Sequence, residues 1–194
     1  MSNNKAQEII ERTMTDRTVY DAMAARESEV WGKILPALER SEARAADATA
    51  SDSLRVARHP ASLIVIAREK GLRFERGLTL GCGAGRLERS LPEHGICQSF
   101  HGIDISEKAV VDAQETAKRD GLSLTYEIGD LNFIELPEKA FDLVVAQTSL
   151  HHVLFLEHIA EQVWGTLKDQ GYTFGSTISM AKPRVNTIPN GWTS

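Results

Sequence analysis

The chain has little of what marks secreted, membrane-spanning or nucleic-acid-binding proteins. Two cysteines, Cys82 and Cys97, cannot form a disulfide framework in 194 residues, and we expect both to be reduced thiols. No apolar run reaches about 18 residues, so no membrane span is expected. Lysine and arginine form no block, and the net charge of −5 argues against a nucleic-acid partner. The polar start at 1–5 predicts no secretory signal, so we expect a cytoplasmic protein.

The composition that remains is ordinary for a globular protein, with 42% apolar and 25% charged residues. The chain is long enough for one domain and an extension. Residues 1–72 hold almost no strand pattern and are rich in Ala, Glu and Arg, which predicts a helical N-terminal extension. Residues 73–194 are predicted to form the second unit, a ligand-binding domain.

The extension has a helical face at Val30, Ile34 and Leu38, and Pro36 is predicted to kink or break that helix. The Ala-rich stretch 43–53 is either a solvated helix or a linker. Pro60 is predicted to begin another helix, which ends at Gly71.

From Gly77 onward, apolar strand patterns alternate with helical ones. The predicted strands are 78–80, 99–103, 124–128, 141–146 and 172–178, and the predicted helices are 85–93, 106–120 and 156–167. This alternation predicts an α/β fold with a doubly wound, mostly parallel, Rossmann-like sheet of at least five strands behind the helical extension. Too few residues follow 180 for a further pair of strands.

Three glycines, Gly81, Gly83 and Gly85, separate the first predicted strand from the first helix of this region. Glycine lets the backbone turn sharply and approach a ligand closely, and the helix N-terminus behind offers free N–H groups. The spacing G-x-G-x-G is a weak pattern by itself. It differs from the dinucleotide pattern G-x-G-x-x-G, and no Lys-Ser/Thr pair follows as in a phosphate loop.

Polar residues follow the next three predicted strands in turn. Ligands of such sheets bind beyond the carboxyl ends of the strands, and Asp104 stands 23 positions after Gly81, near the spacing for a ribose-binding carboxylate. Each residue also has an ordinary structural explanation. Asp104 would be a favourable charge at a helix start, and Asp130 and Asn132 would be turn residues. The two histidines that follow the fourth strand would be packing residues. Their conjunction favours a nucleotide-like ligand. The residues after the second, third and fourth strands are Asp104, Asp130 with Asn132, and Gln147 with His151 and His152.

Residues 76–178 closely resemble the class I S-adenosylmethionine-dependent methyltransferases. The resemblance rests on the segments 78–86, 102–106, 129–132, 141–146 and 149–153. It implies S-adenosylmethionine as cofactor, with S-adenosylhomocysteine as product. By this resemblance the glycine turn packs under the methionyl and ribose parts, Asp104 binds the ribose, Asp130 faces the adenine amino group, Leu131 packs on the ring, and Gln147 lies near the methionyl end. The implied cofactor-binding set is Gly81, Cys82, Gly83, Gly85, Asp104, Ile105, Asp130, Leu131 and Gln147.

The chain departs from this family in two places. The family usually has an acidic residue two positions before the first glycine, which helps to hold the methionyl ammonium, and this chain has Thr79 there. The family sheet also continues past its fifth strand. The chain is therefore truncated, completed by a second protomer, or atypical at its end, and a homodimer through the N-terminal helices or the edge of the fifth strand is one expectation.

The resemblance implies methyl transfer by in-line displacement, and the acidic composition favours a small-molecule acceptor over nucleic acid or membrane. His152 or His151 is the candidate general base, and no metal site is expected. Tyr20, Trp31 and His59 are predicted to form a lid over the acceptor, with core packing or dimerisation as the alternative. A non-catalytic, cofactor-binding regulatory or scaffold protein is the alternative function. The glycine spacing disfavours a nicotinamide-dependent oxidoreductase.

Overall fold

Within residues 16–47, 60–175 and 186–187, which the computed structural model describes, the centre of the molecule is a six-stranded sheet. Every strand pair in it is parallel. The order across the sheet is β3-β2-β1-β4-β5-β6, which confirms the predicted doubly wound architecture. The strands are β1 (Phe74–Leu80), β2 (Cys97–Asp104), β3 (Leu124–Ile128), β4 (Phe141–Ala146), β5 (Leu167–Gly175) and β6 (Asn186–Thr187).

Helices precede the sheet and connect its strands. Pro60 begins the second helix as predicted, and the Ser106 hydroxyl caps the fourth by accepting a hydrogen bond from the Ala109 N–H. No helix of the described residues has both the length and the apolar character needed to cross a membrane. The helices are α1 (Arg17–Asp47), α2 (Pro60–Glu69), α3 (Arg86–Glu93), α4 (Glu107–Arg119) and α5 (Leu156–Thr166), with a 3₁₀ turn at Leu150–His152.

Apolar side chains cover both faces of the sheet. In β4, Leu143 and Val145 belong to one buried cluster, whereas Val144 and Ala146 belong to the other. The first cluster includes side chains of α2 and α3, and the second includes side chains of α5. This two-sided burial explains why β4 is an unbroken apolar run in the sequence.

Two sequence predictions about these elements are wrong. The predicted break at Pro36 is absent, because α1 is one continuous helix through that residue, while the predicted kink stays a prediction. Strand β5 begins at Leu167 rather than at Tyr172, so Gly171 lies inside it. Phe141 pairs with Leu167 and Leu143 with Tyr172, so β5 advances five residues where β4 advances two, and this irregular pairing accommodates the polar stretch.

Part of the remaining predictions falls outside the described residues. Residues 176–178 of the predicted fifth strand, the stretch 48–59 with His59, and the Leu38 side chain lie there. The two-residue strand β6 pairs with β5 at Tyr172 and Thr173, so this part of the β5 edge is covered.

Candidate functional site

A cavity of about 440 Å³ opens beyond the carboxyl ends of β1 and β4, where the strand order reverses. This is the position at which open parallel sheets bind ligands. Of the eleven residues that the sequence predicted for cofactor or catalysis, ten line this cavity, and Gly85 does not. The lining comprises Glu27, Trp31, Thr79, Gly81, Cys82, Gly83, Ala84, Arg86, Leu87, Glu88, Asp104, Ile105, Asp130, Leu131, Asn132, Gln147, Thr148, Ser149, His151, His152 and Val153.

The glycine turn is fixed between β2 and the loop after β4. The N–H groups of Gly81 and Cys82 both donate to the Ile103 carbonyl, at 2.8 and 3.0 Å. Gly81 has a φ of 75°, and a Cβ there would lie 2.3 Å from the Ser149 Cβ. The Ser149 hydroxyl in turn donates to the Leu80 carbonyl at 2.6 Å. Only glycine fits this position, and the turn leaves bare backbone at the cavity wall.

Gly85 serves the packing of α3 instead of the cavity lining. It is the N-cap of α3 with a φ of 73°, and a Cβ there would lie 2.4 Å from the Tyr126 Oη. Tyr126 is a buried residue of β3. The third glycine therefore allows close contact between α3 and this tyrosine.

Asp104 connects the glycine turn to the start of α4. Its Oδ2 accepts a hydrogen bond from the Gly83 N–H at 2.8 Å, and its Oδ1 accepts one from the Ser106 N–H at 2.9 Å. Burial raises the pKa of this carboxyl, although the backbone amides partly offset the effect. Each oxygen keeps acceptor capacity for a further donor such as a ribose hydroxyl.

Asp130 anchors α1 at the cavity wall. The buried Tyr20 hydroxyl donates to its Oδ2, and the Asn132 backbone and side-chain amides donate to its Oδ1 at 2.9 and 3.0 Å. Burial, together with Asp130, raises the pKa of Tyr20 well above its ordinary value. Tyr20 is therefore held beside a predicted cofactor residue, although it does not itself line the cavity, and its place in a lid over the acceptor stays a prediction.

Asn132 has a structural role at the cavity wall. Its Oδ1 accepts from the Leu154 and Phe155 N–H groups at 2.7 and 3.0 Å, and its Nδ2 also donates to the Tyr20 hydroxyl at 2.8 Å. The amide thus joins α1, the loop after β3 and the segment before α5. These contacts occupy both ends of the side chain, which the sequence had placed near an adenine ring.

A histidine and a carboxylate meet at the mouth of the cavity. His152 Nδ1 lies 3.0 Å from Glu27 Oε1, and both side chains are about one-third exposed. The Trp31 indole N–H donates to the same Glu27 oxygen at 3.4 Å, and its ring contacts His152 edge to face. The His151 ring lies 3.9 Å from that of His152. The carboxylate orients His152 through Nδ1 and leaves Nε2 for proton transfer.

Glu88 and Thr79 form an unusual pair in the cavity wall. Glu88, in the first turn of α3, is fully buried, and Thr79 of β1 is 3% exposed. Neither carboxylate oxygen of Glu88 has a hydrogen-bond partner, and the Thr79 hydroxyl has none. Burial raises the pKa of Glu88 to about 7, and the nearby Thr79 hydroxyl acts in the opposite direction. Buried polar groups are normally satisfied, so these two are suited to a ligand.

The charges of the cavity wall are predominantly negative. Among the described lining residues, four carboxylates (Glu27, Glu88, Asp104 and Asp130) face one guanidinium, that of Arg86. S-adenosylmethionine carries a sulfonium and an ammonium against one carboxylate, so its net charge complements this wall. The bare backbone, the ribose-type carboxylate and the unsatisfied acid all fit that cofactor.

The sequence did not predict Glu27 or Glu88 as site residues. Glu27 reaches the cavity from α1, and its partner His152 is 125 positions away along the chain. Glu88 lies three residues before Leu91 and beside Leu87, so it shares the buried face of α3. A helical wheel was therefore the available indication for Glu88, whereas nothing local indicated Glu27.

Comparison with known proteins relates this region to methyltransferases. A family model described as a methyltransferase domain matches residues 78–175, about half of the chain. Over 121 residues the chain is 27% identical to a ubiquinone biosynthesis O-methyltransferase of Coxiella burnetii, covering 62% of the chain and 51% of that protein. The chain thus spans about half the length of this curated relative.

Two further matches widen this picture. The chain is 34% identical over 103 residues to the human mitochondrial arginine-hydroxylase NDUFAF5, covering 53% of the chain and 28% of that protein. The crystal structure of an S-adenosylmethionine-dependent methyltransferase from Mesorhizobium loti matches with a TM-score of 0.50 and 27% identity, covering 57% of this chain and 50% of that one.

Proposed function

The chain belongs to the class I S-adenosylmethionine-dependent methyltransferases, and we propose that it transfers a methyl group to a small-molecule acceptor by in-line displacement. The observation that carries this proposal is the meeting of the glycine turn, Asp104 and the His152–Glu27 pair in one cavity. When bound, the cofactor supplies an activated methyl group on sulfur, and S-adenosylhomocysteine is left after transfer. The protein then provides position, exclusion of water and a base.

The cofactor-binding part of the proposal follows the wall of the cavity. Asp104 accepts from the ribose hydroxyls while the Gly83 N–H keeps its carboxylate in place. Backbone at Gly81, Cys82 and Gly83 approaches the ligand closely, with Ile105 beside Asp104. Asp130, Leu131 and Gln147 complete the site toward the adenine ring and the methionyl end.

His152 is proposed as the general base. With Nδ1 held by Glu27, Nε2 takes the proton from an acceptor hydroxyl as that oxygen bonds to the methyl carbon. His151, whose ring contacts that of His152, is the second candidate. The name of the Coxiella relative, an O-methyltransferase, also favours an oxygen acceptor.

We propose that residues 1–72 form an extension to a methyltransferase domain at 73–194. Helix α1 of this extension is proposed to act as the lid of the acceptor site. Glu27 and Trp31 line the cavity from this helix, and Tyr20 fixes it to Asp130. The net charge of −5 supports a small acceptor rather than nucleic acid. The free thiols of Cys82 and Cys97 suit a reducing, cytoplasmic setting, and pairing of two copies is a further proposal.

The second candidate function is cofactor binding without methyl transfer. Thr79 favours it, because it replaces the acid with which the family usually holds the methionyl ammonium. Isotope transfer from methyl-labelled S-adenosylmethionine to a panel of phenols, carboxylic acids and amines distinguishes the two functions. We expect label in an acceptor, and binding of S-adenosylhomocysteine with no labelled product would support the alternative.

The same assay tests the base. His152→Gln is expected to lower the rate at least 100-fold while calorimetric affinity for S-adenosylhomocysteine stays within about twofold, since general bases contribute 10²–10⁴-fold. Glu27→Gln is expected to lower the rate less than His152→Gln does, because it removes only the group that orients the His152 ring. His101→Gln is the control, since His101 bonds to Thr125 and does not line the cavity. Equal rates for His152→Gln and wild type would reject His152 as base.

A further inference from the structure

Glu88 is the cavity carboxylate with no partner among the described residues. Asp104 accepts from two backbone amides, Asp130 from Tyr20 and Asn132, and Glu27 contacts Trp31 and His152. Glu88 has no such contact on either oxygen, although its side chain is fully buried. A buried, unpartnered carboxylate is costly, and a cationic ligand group would relieve that cost.

Thr79 stands where the family usually carries an acid for the methionyl ammonium. Its hydroxyl is also buried and unpartnered, and it lies close enough to Glu88 to affect the pKa of that residue. The two side chains reach the same cavity from neighbouring elements, β1 and α3. The Glu88 carboxylate of α3 therefore lies beside Thr79, the position in β1 where the family usually has an acid.

We propose that Glu88, with Thr79 beside it, binds the α-ammonium of the cofactor's methionyl part and replaces the acid that β1 lacks. The inference rests on the proposed use of S-adenosylmethionine. It is specific in chemistry, because Glu88 accepts hydrogen bonds from a primary ammonium and contributes nothing to a ligand without one. The Thr79 hydroxyl supplies a second acceptor for the three ammonium hydrogens.

Calorimetric titration with two ligands tests this assignment. S-adenosylhomocysteine carries the ammonium, whereas 5′-methylthioadenosine has the same adenosyl and thioether parts but no amino-acid end. Glu88→Gln is expected to weaken the first ligand at least tenfold and the second less than twofold, since a charge-assisted hydrogen bond is lost only in the first case. Glu93→Gln is the matched control, an exposed acid on the same helix that does not line the cavity.

The outcomes separate this inference from the proposed function. If wild type binds both ligands and Glu88→Gln changes neither, or weakens both equally, the ammonium assignment is wrong while the cofactor site stands. If wild type binds neither ligand, the proposed function fails and takes this inference with it. Thermal unfolding of each variant shows whether the fold is intact.

A second measurement needs no variant. Burial raises the pKa of Glu88 in the free protein to about 7, with Arg89 lowering it and Asp104 raising it, so part of the population is protonated near pH 7. Pairing with an ammonium ionises the remainder, so S-adenosylhomocysteine binding is expected to release a fraction of a proton that 5′-methylthioadenosine binding does not release. Titration in two buffers of different ionisation enthalpy measures this fraction, and equal proton release for both ligands overturns the proposal.

Discussion

Asp104 accepts hydrogen bonds from the Gly83 and Ser106 backbone amides while lining the cavity, so one side chain serves the fold and the ligand together. Asp142, near the start of β4, also accepts from two backbone amides, those of Glu75 and Arg76 at 2.9 Å each. It does not line the cavity. The two aspartates thus have similar structural contacts and differ in their access to the ligand.

Asp104→Ala is expected to weaken S-adenosylhomocysteine binding at least tenfold, because it removes a charge-assisted contact to the ribose. Asp142→Ala is expected to lower the thermal unfolding temperature while leaving that affinity within about twofold. Calorimetry and thermal unfolding on both variants supply the comparison. Unchanged affinity in the folded Asp104 variant would count against the ribose role.

Glu88 makes the stability of the free protein depend on pH. Its pKa rises from 4.5 to about 7 on folding, so the native state holds the proton more tightly than the unfolded chain. The free energy of unfolding therefore falls as pH rises from about 4.5 to about 7, and this group adds no further change above that. Asp104, Arg89, Cys82 and Tyr126 are the other titratable or charged groups coupled to it.

Glu88→Gln removes this contribution. Urea unfolding at pH 5 and pH 7.5 measures how far the free energy of unfolding falls between the two. This fall is expected to be larger for wild type than for the variant by on the order of 2 kcal/mol, since one pKa unit corresponds to about 1.4 kcal/mol. Glu93→Gln should follow wild type. Parallel pH profiles for wild type and Glu88→Gln would show that the carboxyl is not buried as described.

The residues of the site differ in how far the sequence revealed them. Asp104 was predictable because a strand end and a glycine turn fix its place along the chain. Glu88 was less evident because a charged residue in a first helical turn is ordinarily explained by the helix dipole. Its burial depends on packing of α3 beside β1, and only the assembled fold brings these two elements together.

At the scale of elements, α3 begins where backbone conformation and packing both require glycine. Gly85→Ala places a Cβ at a φ of 73° and within 2.4 Å of the Tyr126 Oη. Gly121→Ala is a matched control, because its φ is 65° and nothing lies within 4 Å of the added atom. Gly121→Ala is expected to lower the free energy of unfolding by the backbone cost alone, about 1 kcal/mol. Gly85→Ala is expected to lower it by this amount and by a steric cost of about 1–3 kcal/mol.

Urea unfolding of the two variants measures this difference directly. Gly85→Ala is expected to lower the free energy of unfolding by at least about 1 kcal/mol more than Gly121→Ala does. It is also expected to weaken S-adenosylhomocysteine binding, because the glycine turn is continuous with this helix start. Equal losses for both variants would mean that α3 shifts freely away from Tyr126.

The elements show where local sequence was sufficient for prediction and where it was not. Strands β3 and β4 have the predicted bounds, since both are compact apolar or β-branched runs. The start of β5 was missed because Lys168, Asp169 and Gln170 are polar and precede a glycine. They lie in the irregular part of the pairing, between the pairs Phe141–Leu167 and Leu143–Tyr172, and that partner strand lies more than 20 positions earlier in the chain.

At the scale of the whole molecule, the sheet order brings the ends of β1, β2 and β4 to one place and the loop after β3 beside them. Asp104 at the end of β2 and Asp130 after β3 lie there, and Glu27 and Glu88 join them from α1 and α3, so the cavity wall is acidic in a chain whose net charge is −5. Such a wall favours a cation over a neutral ligand of the same shape. The cofactor and its product form such a pair, since they differ by the methyl group and the sulfonium charge.

Ionic strength is expected to separate the two ligands. Raising sodium chloride from about 20 mM to about 500 mM shortens the screening length from roughly 20 Å to roughly 4 Å. The Kd of S-adenosylmethionine should rise about threefold or more, because its net charge of +1 interacts with the acidic wall. The Kd of neutral S-adenosylhomocysteine should change less than twofold, which controls for general salt effects. Calorimetry at the two salt concentrations measures both values, and a parallel change in the two would mean that the four carboxylates do not act on the ligand as a common field.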